Sequence, residues 1–124
     1  MRLGIVGTRT FDDYNKLRQN VSMFETSMII TGDADGADTL AAMYGIEHDI
    51  PVARYSADWT TFGKRAGPIR NMFIVDECDM LLAFWDGKSP GTRNSIQRAM
   101  DKKKPFLVVR VSPDVPGKIF PGYG

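Results

Sequence analysis

Met80-Leu81-Leu82-Ala83-Phe84-Trp85-Asp86-Gly87-Lys88-Ser89-Pro90-Gly91-Thr92 joins an apolar run to a Gly-rich turn. The run from Met80 to Phe84 is apolar at both alternating positions, as expected of a central parallel strand covered by helices on both faces. The turn precedes Ile96, Ala99 and Met100, whose spacing predicts one face of a helix, and Lys102-Lys103-Lys104 complements that helix's C-terminal dipole. A Gly-rich turn between a strand and a helix start exposes backbone N–H groups where the helix dipole favours anions. A phosphate-bearing ligand is therefore the first chemistry the stretch suggests.

The same alternation repeats outward in both directions. Leu3, Ile5 and Val6 form a short apolar run ending at Gly7, and Tyr14, Leu17, Val21 and Phe24 follow at helical spacing. Met28-Ile29-Ile30-Thr31 ends at Gly32, after which Ala37, Leu40, Ala41 and Tyr44 recur every three or four residues. Pro51-Val52-Ala53-Arg54-Tyr55 suits a third strand, followed by a long polar loop and a helix entered through Gly67-Pro68. Phe106-Leu107-Val108-Val109 closes the series as a fifth strand. Five strands alternating with four helices predict an α/β fold: a Rossmann-like three-layer sandwich on a five-stranded, mainly parallel sheet. Ligands in such sheets bind beyond the carboxyl ends of the strands, near the topological switch point.

The 124 residues suit one domain, expected over residues 1–111, with residues 112–124 as a tail. That tail holds three prolines and three glycines and reads as an irregular cover or contact arm. Sixteen Lys and Arg against fifteen Asp and Glu give a formal charge of +1, which disfavours nucleic acid as a partner. Cys78 is the only cysteine, excluding an intramolecular disulfide or thiolate metal cluster and suiting a reducing cytoplasm. No apolar stretch is long enough to cross a bilayer, and the first strand starts at once with no export segment, so no membrane role is expected. His48, expected near the end of the second helix, has no second histidine with which to pair around a metal, and no metal or cofactor is expected.

Four segments converge on the expected ligand edge. Gly7-Thr8-Arg9 offers a turn, a hydroxyl and a cation, although a turn glycine beside a solvated arginine explains it equally well. In Gly32-Asp33-Ala34-Asp35-Gly36-Ala37-Asp38, amides at the helix start could hold phosphate or ribose. Two acids in that turn oppose a close phosphate, by up to about 4 kcal/mol for a pair at about 4 Å in an effective dielectric near 20. Asp38 could equally act as a first-turn acid favouring the dipole. Asp58-Trp59 and Gly63-Lys64-Arg65-Ala66-Gly67-Pro68-Ile69-Arg70-Asn71 bring cations and a ring that can stack on a base, with Arg70 and Asn71 better placed than Lys64. In the opening stretch Trp85 could stack on a base, Asp86 could accept a ribose hydroxyl or a proton, and Gly87, Ser89, Gly91 and Thr92 could bind phosphate. The plainer alternative makes Ser89 or Thr92 a helix cap and Trp85 a lid over the strand ends.

Together, residues 32–38, Asp58-Trp59, residues 63–71 and residues 84–92 resemble the SLOG superfamily. The branch most similar is that of the small YspA-like proteins, related to DNA-processing protein A and to the Lonely Guy phosphoribohydrolases. The resemblance implies a pocket for a nucleotide or nucleotide derivative, and a homo-oligomer of two or more subunits. Lonely Guy enzymes cleave a base from a ribose 5′-monophosphate with a helix-borne arginine and the glutamate of a Pro-Gly-Gly-x-Gly-Thr-x-x-Glu motif. Arg70 matches that arginine and Gly91-Thr92 the Gly-Thr, but Ser95, preceded by Asn94, stands at the glutamate position. Serine cannot stabilise positive charge or activate water as a carboxylate does. Asp35 is a second departure, since the branch has arginine there. The expectation is a nucleotide binder or sensor; the alternative is an N-glycosidase in which Asp86, Asp58 or Asp38 replaces the missing glutamate beside Arg70.

Overall fold

The computed structural model describes residues 1–111; the expected tail lies outside the described residues. Five strands, β1 (Arg2–Gly7), β2 (Met28–Gly32), β3 (Val52–Tyr55), β4 (Met80–Trp85) and β5 (Phe106–Arg110), form one sheet in the order β3-β2-β1-β4-β5. Every pairing is parallel, so the sheet is wholly rather than mainly so. The chain moves outward from β1 through β2 to β3, then returns to lay β4 on the other side of β1. That reversal puts the topological switch point between β1 and β4, where Ile5 pairs with Leu82 and Gly7 with Phe84.

Alternation along the strands divides the core between two faces. Leu3, Ile5, Ile29, Leu82 and Phe84 meet Leu17 and Val21 of α1 (Tyr14–Val21) and Ala37, Ala41 and Tyr44 of α2 (Ala37–Glu47). Val6, Ile30, Leu81 and Ala83 meet the helices of the opposite face, α4 (Ala66–Glu77) through Ile74 and Val75, and α5 (Pro90–Asp101) through Ile96 and Ala99. Phe11 stacks on Phe84 with ring centroids 5.0 Å apart, tying the loop after β1 to the floor of β4.

The helix expectation needs correction between β3 and β4. The segment read as a polar loop contains a short helix, α3 (Trp59–Phe62), and a 3₁₀ turn (Gly63–Arg65) that runs into α4. Consequently α4 starts at Ala66, ahead of the Gly67-Pro68 entry, and the chain carries five α-helices among the described residues. Asp58 starts α3 by accepting from the Thr61 amide at 3.0 Å. This is an ordinary N-cap, hidden in sequence because so short a helix shows no apolar period. On α4, Met72 and Phe73 are exposed, so part of that apolar helix lies outside the core. Among the described residues no helix is long and apolar enough to cross a membrane.

Candidate functional site

At the β1–β4 switch point the carboxyl ends of the strands open into a cleft of about 340 Å³. The loop after β1 supplies Gly7, Thr8 and Arg9, while the β2–α2 turn supplies Ala34 and Asp38. Arg70 and Asn71 enter from the first turns of α4, and the β4–α5 segment contributes Asp86, Ser89, Gly91, Thr92 and Ser95. Ten of the expected ligand residues thus meet here, from four separate connections, together with Ser95. Ala34 was not among them, although it sits at the centre of the acidic turn that sequence did mark.

The wall after β4 is built around Asp86. Its Oδ1 accepts from the Lys88 and Ser89 amides, both at 2.8 Å, while its own amide donates to Thr8 Oγ1 at 3.1 Å. Burial pushes this carboxyl up, but the amides of Ser89 and Lys88 and the hydroxyls of Ser89 and Thr8 outweigh it and hold it below its ordinary value. Asp86 is therefore an ionised brace for the loop. Ser89 is the N-cap of α5, yet its hydroxyl donates to Thr8 Oγ1 at 3.2 Å and accepts no cap bond from the helix. Pro90 takes the first helical position, where its missing N–H costs nothing. Gly91 and Thr92 line the cleft at the start of a twelve-residue helix without a side-chain cap, where the first amides have no partner within the helix.

The opposite wall sets a buried acid beside a nearly buried cation. A β-carbon on Gly32 would come 2.5 Å from Asp38 Oδ2 and 3.2 Å from Arg70 Nη1, so only glycine lets both side chains cross the end of β2. Asp38 is 6% exposed and its Oδ2 accepts from the Ala34 amide at 3.2 Å. Burial pushes its pKa up to about 6, more than the Ala34 amide and the Arg70 charge pull it down. Arg70 Nη1 pairs with Asp33 Oδ1 at 2.9 Å, and Nε donates to Asn71 Oδ1 at 3.3 Å. Asn71 in turn donates to the Gly91 carbonyl at 3.2 Å, and Ser95 Oγ donates to the same oxygen at 3.3 Å. Ser95 is buried against α5's own first turn.

Other expected site residues lie outside this cleft. Gly36, at φ +78°, turns the chain into α2 with Ala37 buried behind it. Trp85 donates from Nε1 to the Ser89 carbonyl at 3.1 Å, and its ring carries Arg93 and Arg110 at 5.6 and 5.7 Å. Gly87, at φ +84°, packs against Arg110. Lys64 is exposed on the 3₁₀ turn, and Asp58 is an exposed cap whose carboxyl the Thr61 hydroxyl and amide hold low. Trp59 stands apart from the cleft but borders an adjoining hollow. Among the described residues no group of three or more His, Cys, Asp or Glu side chains could hold a metal ion.

A family model described as "YspA, cpYpsA-related SLOG family" matches residues 1–62. The chain belongs to this SLOG family. It is also 33% identical over 86 residues to "Gene 61 protein" of Mycobacterium phage D29, covering 64% of this chain and 69% of that protein. Membership of the SLOG family points to a nucleotide-related function. The matched half carries the loop after β1, the acidic turn and Asp58-Trp59, whereas Arg70, Asp86 and the start of α5 lie beyond it.

Proposed function

We propose that this SLOG protein binds or senses a nucleotide or nucleotide derivative in the cleft between β1 and β4. The observation carrying this reading is the mouth of α5: the cap hydroxyl of Ser89 is turned to Thr8, leaving the Gly91 and Thr92 amides for an anion. In this reading phosphate sits there, ribose lies along Asp38 and Arg70, and the base points toward Trp59. The chemistry is binding because the residue below the anion position is Ser95, which cannot serve as a general base or charge stabiliser in glycosidic cleavage. The setting is the cytoplasm. Mass spectrometry of small molecules that co-purify with the protein is expected to find a nucleotide in the wild type and none in Arg70→Ala. Retention of the same nucleotide by the variant would move the pocket elsewhere.

A second reading, an N-glycosidase, is favoured by Asp38 alone. Among the three candidate carboxylates it is the one that is buried, lines the cleft and titrates near neutrality, as a general acid or base needs. Incubation with nucleoside monophosphates separates the two readings. Binding without release of free base supports the sensor; release by the wild type and not by Asp38→Asn supports the enzyme.

A further inference from the structure

Past Arg70 the cleft continues into a second hollow of about 260 Å³, lined by Arg9, Asp33, Ala34, Asp35, Trp59 and Arg70. Arg9, Ala34 and Arg70 border both spaces, so a ligand anchored at α5 and lying across Arg70 has its far end here. Trp59 is 54% exposed at one side of the hollow, on a helix pinned by the Asp58 cap. Its ring edge rests over Gly67, where a β-carbon would come 3.4 Å from Cη2. Such a ring, held at its edge and open to solvent, provides a stacking surface for a flat ligand.

The charge of the remaining wall narrows what that ligand is. Arg70 is already engaged by Asp33 and Asn71. The Asp35 carboxylate and the second oxygen of Asp33 are acceptors only, while Arg9 brings donors. The hollow therefore offers an aromatic face, a surplus of acceptors and one guanidinium.

We propose that this hollow reads the base of a nucleotide, and that Asp35 selects guanine. The inference rests on the nucleotide reading above and specifies its substrate class. Guanine sets N1–H beside the N2 amino group, and one carboxylate accepts from both, while O6 lies next to them for a guanidinium donor. Hypoxanthine lacks the amino group and forfeits one of these bonds. Adenine turns a lone pair at N1 toward the carboxylate, setting acceptor against acceptor where water is partly displaced. The same two carboxylates repel a phosphate that enters the hollow, which orients the ligand with its base there and its phosphate end at α5.

Titration of the full chain with GMP, IMP and AMP, followed by calorimetry and by tryptophan fluorescence, tests the assignment. GMP is expected to bind at least about tenfold more tightly than AMP, with IMP between them. Asp35→Asn, a change on an exposed turn, is expected to bring GMP and AMP within about threefold of each other, and Trp59→Phe to weaken both. Equal affinity for GMP and AMP, with both lost in Arg70→Ala, overturns the base assignment and leaves the nucleotide reading standing. A GMP preference that survives Asp35→Asn also overturns it. Failure of all three to bind overturns the base assignment, and the search for a co-purified ligand then decides the nucleotide reading by itself.

Discussion

Asp38 shows how the fold can impose a cost on one residue. Its carboxyl titrates near 3.8 in the unfolded chain and about 6 when folded, because burial penalises the charge. Between those values the folded chain holds more protons than the unfolded one. The contribution of this group to stability is therefore complete below the unfolded pKa and is lost as pH rises through the folded one. A shift of this size corresponds to a loss on the order of 3 kcal/mol by neutral pH. Asp38→Asn keeps a side-chain acceptor for the Ala34 amide and removes the charge. Urea midpoints are expected to show the variant gaining on the wild type from about pH 4 to about pH 8, by up to roughly 3 kcal/mol. A gap between the two proteins that does not change with pH would mean that the carboxyl is not held in its neutral form. Sequence marked Asp38 as either a dipole acid or a ligand contact. It could not show the burial, which comes from Gly32 and Arg70 closing over it from other elements.

At the scale of elements, the site depends on turns that fit against one another as much as on the helices they begin. Gly36 has φ +78°, and a β-carbon there would strike the Thr8 and Arg9 carbonyls, so the start of α2 is seated on the loop after β1. Gly36→Ala combines a left-handed conformation for an L residue with a backbone clash. It is expected to destabilise the fold by about 2 kcal/mol or more, read as a lower urea midpoint with an unchanged slope. A loss below about 0.5 kcal/mol would show that the two turns can separate at little cost. The three central strands were legible because parallel strands buried on both faces read as apolar runs, the partly exposed edge strands β3 and β5 as shorter runs, and α1, α2 and α5 because their apolar faces recur at helical spacing. Helix α3 was not legible, since its one signal is the pairing of Asp58 with Thr61 three residues later. Trp85 was legible as an aromatic after a strand, but its partners were not: its indole N–H meets the Ser89 carbonyl and its ring carries Arg93 and Arg110.

For the molecule as a whole, strand order decides everything about the site, and strand order is long-range. The alternation of strands and helices predicts a parallel sheet, yet only the return of the chain to set β4 beside β1 brings Thr8, Asp38, Arg70 and Thr92 to one cleft. A ligand there touches four connections at once and so binds the folded chain while having no site on the unfolded one. Saturation at about a hundred times Kd then adds about 2.7 kcal/mol to stability, and in a domain of this size that raises Tm by roughly 10 °C. The rise should track the logarithm of ligand concentration above Kd. Arg70→Ala removes the cation that the Asp33 pair holds over the cleft, so its Tm is expected to stay flat across the same nucleotide titration. The variant's own Tm and the cooperativity of its transition without nucleotide separate this from unfolding. A Tm that rises equally in both proteins would place the nucleotide outside the β1–β4 cleft.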